Sequence, residues 1–455
     1  MSDTYDSTGY GATAAATALV MVYVLAVGFL LQQPYDVAGG VLMAHVLGAI
    51  TVPALIWLTR NDDRRTRRLI LAGLGAKFVG TLARFAIVFG VYGGGDSDSY
   101  DRAGRIVAAA FRHGDFSGVF EGKFVGTGFL ELLTGIVYTV TGPTKLGGFL
   151  VFSWLGFWGT YLFYRAFRMA LPHADHRRYG LLIFFLPSMV FWPSSIGKDA
   201  WMTLMLGVLV YGAARLMAKK GMGLPLVTVG VLGTALVRPH ITIIAVAGVV
   251  VAYMVSPNRS RSFAAPLTKL LGTVALAAIL SFAAVSAQRF FKLESVESIA
   301  ETQARVNDRT LKGNAFEAPS VTSPVQLPVA MFTVLFRPLP IEARNAFALF
   351  TSLEGAGLLV LFVLKAPRLR NLLPRRRAPY LTFCSIYSVL FAVAFSNISN
   401  FGILARQRVQ LFPFVLAALA VPAAMRARSV RPTPALRRVP QHLATPERPT
   451  EPQPA

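Results

Sequence analysis

Along the chain, apolar residues come in blocks of roughly 15 to 25, parted by short polar stretches. A bilayer core takes about 20 apolar residues per helix. Lipid offers no partner for open backbone groups, so each block predicts a helix. Hydropathy windows place about twelve spans, near 12–31, 40–58, 69–92, 147–166, 179–193, 200–217, 223–237, 241–255, 267–287, 344–364, 379–396 and 409–425. Several run to only about 15 residues, which predicts tilted, broken or protein-shielded helices. The expected fold class is all-α: a polytopic integral membrane protein with its membrane domain over 1–425.

The polar stretches orient these spans. "TRNDDRRTRR" holds five arginines, and "RMALPHADHRR", "ARLMAKK", "SPNRSRS" and "APRLRNLLPRRR" are also basic. Joined through the spans above, all five fall on one side, together with both termini. The positive-inside rule makes that side cytoplasmic, so a multi-pass plasma-membrane (inner-membrane) protein is expected. The opening "MSDTYDSTGYG" is acidic and lacks a basic n-region, so the first block reads as a retained span. The tail over 426–455, rich in Pro, Arg and Thr, cannot build a core and predicts disorder.

Composition agrees. The 455 residues are 54% hydrophobic and 15% charged, with mean hydropathy +0.53, whereas soluble domains carry about 25% charge. A net charge of +23 invites a nucleic-acid reading. The basic residues, however, flank apolar blocks, as positive-inside sorting and anionic lipid require. Membrane lipids are therefore the expected partners, and nucleic acid is not. The one cysteine, Cys384, lies in an apolar block, which excludes disulfides and cysteine metal sites.

The opposite face carries the chemistry. Its long loops cover about 93–146 and 288–343. The first opens "GGGDSDSYDRAGRIVAAAFRHGDF", where three glycines precede Asp96, Asp98 and Asp101. Residues 100–112 have apolar and basic faces, like an interfacial helix. The apolar piece 127–142 would reverse every later loop if it crossed, so it reads as re-entrant or interfacial. Three shorter features share this face: "PSSIGKD" with Lys198 and Asp199, "VRPH" with Arg238 and His240, and "SNISNFGILARQRVQ" with Arg406 and Arg408. Arg337 ends the second long loop, and Lys77 and Arg84 lie inside the third span, Arg84 near its outer end.

Each residue has a structural alternative. Asp96 and Asp98 could cap the helix that follows, and Asp199 could cap one beginning at Ala200. Lys198 could snorkel, and Arg238, Arg337, Arg406 and Arg408 could anchor span ends. As a set they resist this, because positive-inside sorting disfavours cations on this face. Arginine and lysine bind phosphate, and a helix N-terminus beside Lys198 would make a phosphate site. Carboxylates at that depth can take a proton from a hydroxyl or hold a divalent metal, with Asp96 and Asp98 as the ligands. The combination points to transfer from a lipid-linked phosphate to an acceptor hydroxyl.

"GGGDSDSYDRAG" (93–104), placed in the first large outward loop and leading into a juxtamembrane helix, resembles the acidic motif of multi-spanning C-type glycosyltransferases that use polyprenyl-phosphate sugars. The resemblance implies Asp96 or Asp98 as general base, with a divalent cation as the one cofactor to consider. It also implies a lipid-linked sugar donor and a glycan or glycolipid acceptor. "PSMVFWPSSIGKDA", "LFRPLPIEARN" and "NFGILARQRVQLFPF" resemble bacterial membrane proteins of surface-polysaccharide assembly. A second resemblance, to O-antigen polymerases, would give Arg238, Arg337, Arg406 and Arg408 to a lipid pyrophosphate. The chain departs from both in having no large soluble C-terminal domain. A transporter or flippase for a lipid-linked sugar is the alternative from another class, though its charges should lie at midplane.

Overall fold

The computed structural model describes residues 7–117, 124–256, 265–291, 324–369, 378–396, 398 and 400–421. Every regular element among them is helical. In chain order they are α1 (Ser7–Leu31), α2 (Tyr35–Leu58), α3 (Arg64–Gly90), α4 (Asp96–Arg112), α5 (Thr127–Thr141), α6 (Lys145–Ala170), α7 (His176–Phe185), α8 (Pro187–Phe191), α9 (Lys198–Met217), α10 (Gly223–Ala235), α11 (Pro239–Val255), α12 (Ala265–Phe291), α13 (Leu327–Phe336), α14 (Ala346–Leu364), α15 (Pro379–Phe395), α16 (Phe401–Gln407) and α17 (Phe412–Ala420).

Four of these, α2, α3, α6 and α9, are long and apolar enough to cross a membrane, and the bent pair α16–α17 makes a fifth candidate. Shorter apolar segments include α5, α10, α11, α13 and α15. The outer faces of α2, α3, α12 and α14 expose Ile56, Leu82, Leu271 and Val360, among many large apolar side chains. Water tolerates no apolar surface so continuous, and the chain is membrane-embedded. Helix length and composition among the described residues do not by themselves establish twelve spans.

Three departures from the expected spans have local causes. The block at 179–193 is not one helix: Leu186 is extended (φ −60°, ψ 125°) ahead of Pro187, which splits α7 from α8. Trp192–Gly197 then runs as buried irregular backbone before α9. The block at 409–425 holds only the second half of the bent pair, which breaks by 60° around a short 3-10 turn, with Pro413 opening α17. The loop expected over 288–343 contains an apolar helix, α13, packed on α14 and α15. Residues 292–323 of that loop lie outside the described residues, as do "SPNRSRS" beyond Ser256, most of "APRLRNLLPRRR" and the tail.

The centre is built by α6, packed along α9, with α9 continuing onto α10 and α6 also meeting α2 and α3. Small residues permit the closest crossing. A Cβ on Gly159 would lie 2.3 Å from the Thr203 carbonyl oxygen, and one on Gly207 would lie 2.4 Å from that of Gly159. With no hydrophobic drive between helices in lipid, such backbone approach is how packing energy is gained. The expected helix in 127–142 forms as α5 and packs against amphipathic α4.

An ion-pair network pins α4 and α5 to α2 and α6. Tyr138 donates to the buried carboxylate of Asp101 at 2.5 Å, and Arg105 Nε reaches the same carboxylate at 3.0 Å. Arg105 also spans to Asp36 at 3.2 Å, and Asp36 accepts the Lys145 backbone N–H at 2.7 Å. Burial first, and the Asp101 bond second, push the Tyr138 phenol up, so it stays a donor.

Candidate functional site

A cavity of about 490 Å³ opens where five parts of the chain meet. Arg84 and Val88 of α3, Gly95, Asp96 and Ser97 at the start of α4, and Trp192 of the irregular segment line it, with Asn345 and the Asn400–Arg406 segment completing the wall. The triglycine at 93–95 makes the turn into it. Its φ values of +65°, +127° and +148° suit glycine and little else.

Helix N-termini converge on this wall. Gly95 is the N-cap of the 17-residue α4, and Asn345 is the N-cap of the 19-residue α14. Asn345 accepts the Ala348 N–H at 2.7 Å. The positive ends of these helices add to the field of the two cavity arginines. Arg84 makes the most exposed claim on an anion. Its buried Nε has no hydrogen-bond partner among the described residues. The guanidinium rests on the rings of Phe191 and Trp192, each 4.7 Å away. A buried cation with no direct ion pair among the described residues is costly, and its alignment with a cavity is a mark of function.

Behind the cavity wall, Asp199 is 6% exposed. Arg238 donates to its Oδ1 at 3.0 Å, and Arg406 Nε donates to Oδ2. The other edge of Arg406 reaches Asp96 Oδ2 at 2.9 Å. Asp199 is therefore no helix cap. The helix starts two residues earlier than expected, at Lys198, and its N-cap, Gly197, offers no side chain. Two guanidinium groups outbid backbone amides for a buried carboxylate. Nor does Lys198 pair with Asp199: its Nζ donates to Thr127 Oγ1 at 3.1 Å, beside the same charges. Arg238 is buried rather than anchoring a span end, with Nη1 unpartnered among the described residues.

The structure thus brings together Arg84, Asp96, Lys198, Asp199, Arg238 and Arg406. His240 lies two residues beyond Arg238, with its ring 5.7 Å from that of Phe395, and does not line the cavity. Arg337 forms a local clasp with Glu342 at 2.5 Å and covers Phe401. Arg408 is fully buried. It donates to the carbonyls of Leu335, Arg337 and Thr351 and stands 4.0 Å from Glu354. Its contacts tie α13 and α14 to the bent pair.

Asp96 and Asp98 part company for a geometric reason. Positions i and i+2 of an α-helix lie on nearly opposite sides. Asp98 is bound by Lys145 at 2.9 Å and by Arg102 at 3.3 Å. The two carboxylates therefore do not share a metal cradle. Among the described residues, no group of three or more His, Cys, Asp or Glu side chains could hold a metal ion. The hydrogen bond from Lys145 holds the Asp98 carboxyl below its usual 3.8. A depressed folded-state value contributes stability above the unfolded pKa, and that contribution fades as pH falls through the folded one. Asp98→Asn is expected to cost about 1 kcal/mol or less, with the difference from wild type shrinking as pH falls below 3.8; thermal melts across pH 2.5–7 check this.

Lys145, Arg105 and Tyr138 are not sequence candidates, and Asp101, read in the same acidic stretch as Asp96 and Asp98, is given no role there. Compared with protein-family models, curated proteins and solved structures, the chain has no match in any of them.

Proposed function

We propose that the protein moves a sugar from a polyprenyl-phosphate donor to a hydroxyl acceptor, a glycan or glycolipid, on the extracytoplasmic face of the plasma membrane. One observation carries this: Arg84 faces the same cavity as Asp96 and Arg406, with its buried Nε lacking any hydrogen-bond partner among the described residues. Such a cavity suits a phosphate held by guanidinium groups and a carboxylate within reach of what is attached to it.

In the proposed reaction, Asp96 takes the proton of the acceptor hydroxyl as its oxygen bonds to the anomeric carbon. The bond from that carbon to the phosphate oxygen breaks, and its electron pair leaves with the polyprenyl phosphate. Arg84 and Arg406 neutralise the charge that develops there. Lys198 and Arg238 add to the positive field, while Asp199 positions Arg406. General-base removal typically costs 10²–10⁴-fold in rate. Asp96→Asn should therefore lower transfer in proteoliposomes by about that factor, and Asp98→Asn should leave it within about threefold, as befits a peripheral ion pair. Full transfer by Asp96→Asn, across a panel of polyprenyl-phosphate hexoses and pentoses, would sink the assignment.

Charge counting favours a second reading. Arg84, Lys198, Arg238 and Arg406 against Asp96 and Asp199 leave an excess of two positive charges. A phosphodiester donor carries one negative charge and a pyrophosphate-linked donor carries two. Polymerisation of lipid-pyrophosphate repeat units uses the same cavity, and products of graded length distinguish it from single transfer.

A further inference from the structure

Arg406 is shared between two carboxylates that differ in every respect but charge. Asp199 is buried, carries a second arginine, and grips Arg406 through Nε. Asp96 has its side chain 65% exposed, and Arg406 is the ion-pair partner it has among the described residues. The backbone preceding Asp96 is three consecutive glycines with positive φ, a stretch that can re-aim the start of α4 cheaply. Breaking the Asp199 contact would strand buried charge. Breaking the Asp96 contact forfeits an exposed pair worth about 0–1 kcal/mol.

The Asp96 contact also occupies useful ground. It covers the Nη1 edge of Arg406, which lines the cavity with Arg84. A phosphate held by both arginines would need that edge, and a phosphate oxygen cannot share it with a carboxylate without repulsion. We propose that Asp96 and a phosphate group exchange at Arg406: the anion takes the guanidinium edge, and the carboxylate is released into the cavity as a free base. Substrate binding and activation of the base are then one event. This rests on the phosphate-binding reading above and adds an order to it, since Asp96 Oδ2 is occupied while it pairs with Arg406 and meets the acceptor hydroxyl only once released.

The exchange makes an unusual demand: removing the catalytic carboxylate must tighten binding. Full-length protein in nanodiscs would be titrated with polyprenyl phosphate and, separately, with inorganic phosphate. Asp96→Asn should bind polyprenyl phosphate about fivefold tighter than wild type or more, the equivalent of an exposed pair no longer broken plus repulsion relieved. Asp98→Asn, whose partners are Lys145 and Arg102, should match wild type. Binding that is Arg84-dependent but unchanged or weaker in Asp96→Asn overturns the exchange and leaves the phosphate site standing. Binding by neither wild type nor Asp96→Asn overturns both. A fivefold gain that is equal for the two anions supports the exchange and overturns the lipid-linked donor, because the site would then read phosphate alone.

Discussion

Asp199→Asn is expected to destabilise the protein by about 3–5 kcal/mol, the cost of breaking a buried ion pair from one side. The asparagine nearly matches the aspartate in shape, so no cavity forms. What changes is that Arg238, 7% exposed, and the Nε edge of Arg406 lose their shared counterion. Nη1 of Arg238 already lacks a partner among the described residues, so no second acceptor waits to compensate. Thermal unfolding in detergent, followed by a cysteine-reactive dye at buried Cys384, would read the loss as a lower midpoint. The same variant carrying Arg238→Met should recover part of it, since removing both charges costs less than removing one. A loss below about 1 kcal/mol would place the pair among exposed bridges and refute its burial.

How far the sequence could reach follows from what span arguments measure. They measure depth along the membrane normal. Lys198, Arg238 and Arg406 were legible as a set because their sign conflicts with positive-inside sorting, and Arg84 because an ionisable group inside a span is costly. Such arguments carry no azimuth. Arg337 and Arg408 share the same conflict, yet one closes on Glu342 five residues away and the other turns inward to carbonyls and Glu354. The Arg337 pairing had a trace in "RPLPIE". The Arg408 pairing had none, because Glu354 lies in a different apolar block.

The divergence of Asp96 from Asp98 was calculable from helical period once α4 is known to start at Asp96, and that start depends on the triglycine turn. The broken span at 186–197 was foreshadowed by Pro187, Pro193 and Gly197 in one apolar block. Hydropathy weighs these residues without regard to backbone, so the irregular stretch that carries Trp192 into the cavity was smoothed away.

That stretch decides the last expectation. Arg84 rests on ring faces and makes no direct ion pair, and Phe191 and Trp192 reach it from the end of the short helix α8 and its C-cap. Lys77, two turns earlier on α3, fixes the same region by donating to the Met189 carbonyl at 2.8 Å. The shelf is thus set before any ligand arrives, and the guanidinium pays little entropy to meet one. Arg84→Met keeps an unbranched apolar stem against the rings and deletes the charge. It should fold with a melting midpoint close to that of wild type, since no ion pair is broken. Its affinity for polyprenyl phosphate should fall roughly 30-fold or more, the low end for truncating one side of a desolvated charge pair. Arg84→Lys should fall between the two, because an ammonium supplies the charge without the planar fork or the stacking. Unchanged affinity in Arg84→Met would mean that the rings satisfy the guanidinium completely, and the cavity would lose its claim on phosphate. A lysine variant as weak as the methionine one would instead show that geometry, and not charge, recognises the anion.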